Sequence, residues 1–148
     1  MDARPRIVIT CGLPGSGKST YLTRLGVNPV STDDLRRQLA DDAADQSIHD
    51  RVYATAQYLI RQRIAIGRPA TYLDATNLTR KDRRHFVKLA RELNCPIDAL
   101  FFDVPVEVCL ERNRMRGRLV PDDVIHAMAL KLQPPSLAEG FGNVTVIT

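Results

Sequence analysis

Apolar positions along this chain fall into short unbroken runs separated by longer, spaced ones. The β-branched run over Arg6–Cys11 predicts a strand, and "ATYLDATN" and "IDALFFDV" predict two more. A short strand should end near Val30, and "NVTVIT" closes the chain as a final strand. Between them, a helix is expected from about Lys18 to Leu25, with Gly26 as its stop, and another from about Asp34 to Ala40. A longer one from about Gln46 to Ile66 carries Ile48, Val52, Ala56, Leu59, Ile60 and Ile64 at helical spacing before Gly67 and Pro69 end it. Thr79, with Asp82 three residues on, has the form of a capping box opening a helix to about Leu93. Pro105 and Pro121 suit the first turns of two further helices, ending near Arg116 and Leu132.

Strands and helices that alternate at this spacing imply an α/β fold: a parallel sheet of about five strands with helices on both faces, a three-layer α/β/α sandwich. Parallel strands are covered on both sides, which explains runs that are continuous instead of alternating and assigns Phe101 and Phe102 to the core. No repeat, low-complexity stretch or Gly/Ser linker interrupts the 148 residues, so a single domain over 1–148 is expected.

Composition narrows the setting. The three cysteines, Cys11, Cys95 and Cys109, lack the even count of a disulfide framework and the spacing of a zinc site, which fits a reducing cytoplasm. No apolar stretch has the length of a signal core or a membrane span, so no membrane partner is expected. Net charge is +4, and of 21 basic residues all but Lys18, Lys81, Lys88 and Lys131 are arginine. The planar arginine fork suits phosphate oxygens, so the balance leans towards a phosphate-rich partner, although a merely solvated basic surface has the same composition.

The decisive stretch is "GLPGSGKS", Gly12 to Ser19, which fits G-x-x-x-x-G-K-[ST] between a predicted strand and a predicted helix. Gly12, Gly15, Ser16 and Gly17 let backbone N–H groups converge on an anion, and Lys18 reaches the outer phosphates. Ser19 offers its hydroxyl to Mg²⁺, with Thr20 beside it, so ATP or another nucleoside triphosphate and Mg²⁺ are the expected cofactors. Downstream, "STDDLRRQL" brings Asp33 or Asp34 to the end of the second strand, where a carboxylate can take a hydroxyl proton or simply cap the helix; Arg36 lies one turn on. In "LDATNL", Asp74 ends a strand and can hold a metal water, orient an arginine or fix a substrate hydroxyl, while Thr76 and Asn77 also suit a turn. In "ERNRMRGRLVP", Arg112 and Arg116 share one helix face and Arg114 and Arg118 another, with Gly117 as a hinge; an arginine-bearing helical lid over about 112–121 is the expectation.

Together, "GLPGSGKST", "STDDLRRQL", "DATNLTRKDRR" and "FFDVPVEVCLERNRMRGRLVPDDVI" resemble, in order and spacing, the P-loop kinase domain of phage and bacterial polynucleotide 5′-kinases, from Ile7 to about Leu132. The resemblance implies ATP-dependent transfer of the γ-phosphate to the 5′-hydroxyl end of DNA or RNA, in nucleic acid end healing. It implies that Lys18 and Ser19 bind the donor and its Mg²⁺, that Asp33 is the general base, and that Arg36 holds the acceptor's phosphate. Arg116, assisted by Arg112, would clamp the donor phosphates, and Asp74, Thr76 and Asn77 would contact the acceptor. Many relatives continue into a 3′-phosphatase; this chain has no D-x-D-x-[TV] stretch, so a kinase without that activity is expected, with a separate phosphatase or ligase as a possible partner. A kinase acting on a small-molecule hydroxyl, or a nucleotide switch, would use the same phosphate loop.

Overall fold

A computed structural model describes residues 3–117 and 120–148. Five strands form one parallel sheet: β1 (Arg6–Cys11), β2 (Val30–Ser31), β3 (Ala70–Asp74), β4 (Ile97–Phe102) and β5 (Asn143–Ile147), in the order β2-β3-β1-β4-β5. The register sets Ile9 of β1 beside Leu73 of β3 and Ala99 of β4. Six helices connect them: α1 (Lys18–Arg24), α2 (Thr32–Ala40), α3 (His49–Ala65), α4 (Arg80–Glu92), α5 (Val106–Met115) and α6 (Asp122–Lys131).

The continuous apolar character of β1 follows from its central place. Successive side chains of a strand point to opposite faces. Ile7 and Ile9 therefore join a core with Val52, Ala56 and Ile60 of α3 and Phe86 and Leu89 of α4, while Val8 joins Leu22 of α1 with Leu100 and Phe102 of β4. Helices thus cover both faces, and the expected three-layer α/β/α architecture is present. Phe101 and Phe102 are buried in it. The connection leaving β1 runs to one side of the sheet, and the one leaving β3 crosses to the other. The carboxyl ends of β1 and β3 therefore border a crevice, where ligands bind in open α/β sheets.

Two helix starts differ from expectation. α2 begins at Thr32 because the hydroxyl of Ser31 caps it, accepting from the Asp34 amide at 3.3 Å. The helix expected from Gln46 opens instead with a 3₁₀ turn over Gln46–Ile48, where the Ser47 amide donates to the Asp45 carboxylate, and only then becomes α3. The capping box at Thr79 and Asp82 is formed in both directions, at 3.1 and 3.3 Å. No helix among the described residues is long and apolar enough to cross a membrane.

Candidate active site

The phosphate loop rises from the end of β1 and closes into α1. Gly15 and Gly17 hold φ of +83° and +98°, the left-handed region that only glycine enters at little cost. A Cβ on Gly15 would stand 2.5 Å from the Cys109 carbonyl oxygen, so the loop is pressed against α5. The ammonium of Lys18 folds back on its own loop, donating to the carbonyls of Gly12 and Leu13 at 3.1 and 2.8 Å. Burial lowers its pKa, while Asp74 and Asp33 pull it back up, which places all three charges in one neighbourhood. The Ser16 hydroxyl is buried among the described residues without a hydrogen-bond partner, an orphan donor on the loop's inner side.

Ser19 donates to Oδ2 of Asp74 at 2.6 Å. This pairing carries Asp74, expected at the acceptor, to the donor side of the crevice: β3 ends level with the first turn of α1, so its last side chain reaches across. A hydroxyl touching a carboxylate beside a phosphate loop fits Mg²⁺, which takes few protein ligands and fills its shell with phosphate oxygens and water. No cluster of three or more His, Cys, Asp or Glu side chains suited to a metal occurs among the described residues.

Opposite stands α2. Asp33 accepts from Nη1 of Arg36 at 3.2 Å, an i,i+3 pair on one helix face. Arg36 is almost wholly enclosed, and its Nε is buried without a partner among the described residues. Both residues line a cavity of about 650 Å³ together with Lys18, Ser19, Asp74 and Thr76.

α5 closes the site from above. Nη2 of Arg116 donates to the Thr20 hydroxyl at 3.1 Å, and a Cβ on Gly17 would lie 3.5 Å from Nη1 of Arg112. Arg114 points elsewhere, to Asp122 of α6 at 2.7 Å, as the two-face reading of the arginines requires. Arg118 lies outside the described residues. A second cavity, about 440 Å³, opens on the far side of these arginines between Thr20, Tyr21, Arg24, Met115 and Ile147.

Residues 7–135 match the family model described as an AAA domain. The chain belongs to that family. Among its relatives, L-seryl-tRNA(Sec) kinase of Methanococcus maripaludis is 26% identical, over 96% of this chain and 59% of its own length. The bifunctional polynucleotide phosphatase/kinase of Schizosaccharomyces pombe is 25% identical, over 93% and 32%. In the solved structures, a chain of the Pnkp1/Rnl/Hen1 RNA repair complex superposes with a TM-score of 0.75 at 26% identity, covering 90% of this chain and 45% of that one. This AAA domain therefore spans only about a third to three fifths of the length of these three proteins.

Within the AAA domain, one expected acceptor contact is not brought to the site. Asn77 adopts a left-handed φ of +44° after β3, which turns its side chain inward; it is fully buried, and its amide donates to the Thr10 carbonyl at 2.8 Å. It braces β1 instead of facing the cavity. Conversely, His49 and Tyr53 of α3 line the cavity, although periodicity assigns them only to a helix. Their reach into the site depends on how α3 packs, and no local pattern encodes that.

Proposed function

We propose that this chain is an ATP-dependent polynucleotide 5′-hydroxyl kinase, with residues 1–148 acting as one domain and 112–121 as its lid. The observation that carries the reading is Arg36: an arginine sealed in the cavity wall, its Nε unpartnered, beside the carboxylate of Asp33. A buried guanidinium with spare donors is costly unless an anion completes it. A phosphate flanking a terminal hydroxyl supplies that anion and leaves the hydroxyl near Asp33.

In this reading the phosphate loop and Lys18 hold the triphosphate, and Asp33 accepts the proton as the acceptor oxygen attacks the γ-phosphorus. The bond between the γ-phosphorus and the β–γ bridging oxygen breaks, and the nucleoside diphosphate leaves with that electron pair. Ser19 and Asp74 are the residues that would hold Mg²⁺, which would supply charge neutralisation for the transferring group. Arg116 and Arg112 hold donors over the loop where charge develops and keep water from competing as acceptor.

A second reading is favoured by the relative that is an L-seryl-tRNA(Sec) kinase: transfer to a hydroxyl carried on aminoacyl-tRNA. The test supplies γ-labelled ATP and Mg²⁺ with 5′-hydroxyl DNA, 5′-hydroxyl RNA, seryl-tRNA, nucleosides and sugars. Label on oligonucleotide 5′ ends is expected. Label confined to seryl-tRNA, or to a small molecule, overturns the first reading.

A further inference from the structure

Tyr53 lines the cavity but is buried in the core, against Phe86 of α4. Its ring packs on His49, with centroids 4.2 Å apart, and on His85 of α4, at 5.6 Å and nearly perpendicular. His49 is half-buried at the cavity wall and His85 is exposed, so the three rings run from inside the crevice to the molecular surface. His49 and Tyr53 are one turn apart on α3, and His85 meets them only through the packing of α3 on α4.

Where the rings reach the surface, α4 presents a basic stripe. Lys81, Arg84 and Lys88 are exposed, at spacings of three and four that align them on one helical face. At 1.5 Å per residue they span roughly 10 Å along the axis. Among the described residues no ion pair neutralises them, whereas Arg61 and Glu92 pair at the far end of the same helix. Unpaired like charges on one face repel one another, and a polyanion relieves that cost. Rings beside a cationic track are also the combination by which single strands are held without sequence choice, bases on the π-faces and phosphates on the charges.

We propose that the acceptor strand leaves the cavity past His49 and His85, the two rings that Tyr53 braces, and is held beyond them by Lys81, Arg84 and Lys88. The proposal rests on the polynucleotide kinase reading and assigns the substrate class more closely: a single-stranded 5′-hydroxyl end of several nucleotides, not a mononucleotide.

The experiment compares a 5′-hydroxyl 12-mer, as DNA and as RNA, with a nucleoside 3′-monophosphate as acceptor. It uses the wild-type chain, the triple variant Lys81→Ala/Arg84→Ala/Lys88→Ala, and His85→Ala, with thermal melts to confirm folding. For the triple variant, KM for the 12-mers should rise roughly tenfold or more, and the slope of log affinity against log salt should fall by about 0.7 for each charge removed. KM for the mononucleotide, which ends before the rings, should stay within about twofold, since no phosphate contact is removed from it. His85→Ala should weaken the 12-mers at least about fivefold without changing the salt slope. Equal loss on both acceptors, or no loss on either, overturns the strand path while leaving the kinase reading intact. Failure of the wild-type chain to phosphorylate any nucleic acid end overturns both.

Discussion

Asp33 and Asp34 are adjacent in sequence, yet the fold assigns them different work. The cap of α2 is Ser31, Asp34 pairs with Arg37 at 2.9 Å on the exposed side, and Asp33 faces the cavity beside Arg36. Asp33→Asn should lower phosphoryl transfer roughly 10²- to 10⁴-fold, the range for a positioned general base, while nucleotide affinity measured by calorimetry is kept. Asp34→Asn loses only a surface ion pair and should stay within a few-fold of the parent rate. Equal, mild losses in both would return Asp33 to a purely structural place. At this scale the sequence is legible wherever chemistry is local. Lys18 and Ser19 stand where a motif eight residues long puts them, whereas position after a strand left Asp33 and Asp34 as alternatives and only the resemblance to polynucleotide 5′-kinases chose between them. Asn77, which also suits a turn, takes a left-handed φ there, and its side chain goes to the core instead of the acceptor.

The elements carry the next level. The amide of Asn113 on α5 donates to the Val120 carbonyl at 2.8 Å, and Arg114 meets Asp122, so α5 and α6 are stitched together on either side of Gly117. Arg116 stands at the end of this unit. Arg116→Ala should lower kcat roughly 10²- to 10³-fold, the cost of one preorganised donor at developing charge, with little change in melting temperature. An unaffected rate would remove α5 from the chemistry. The helices of this unit were legible because Pro105 and Pro121 mark their starts. The 3₁₀ start of α3 was not, since the Asp45 cap competes with the apolar period that continues through Ile48.

In the whole molecule, one buried ion pair ties distant segments together. Arg83 of α4 meets Glu139 through two nitrogens, at 2.8 and 3.1 Å, and also donates to the Asn77 and Leu78 carbonyls. The segment before β5 is thereby fastened to the turn that follows β3. Burial pushes the Glu139 carboxyl up, but the Arg83 guanidinium and the Ser136 amide outweigh it and hold the group below its ordinary value of 4.5. A depressed carboxylate contributes stability above its unfolded value and loses it as pH falls through the folded one. Glu139→Ala should therefore cost about 3 kcal/mol in urea unfolding at pH 7, because it strands a buried cation. The difference from the parent should shrink at pH 3; a gap constant across that range would sink the argument. No sequence pattern joins Arg83 to Glu139, just as none joins Tyr53 to His85, because such pairs arise only when the fold packs segments distant in the chain. The contact between Gly15 and the Cys109 main chain has a last consequence. A loop with no slack in that direction must hand any tightening to the segment that carries Arg112, so occupancy by the donor itself dictates where the guanidinium group comes to rest.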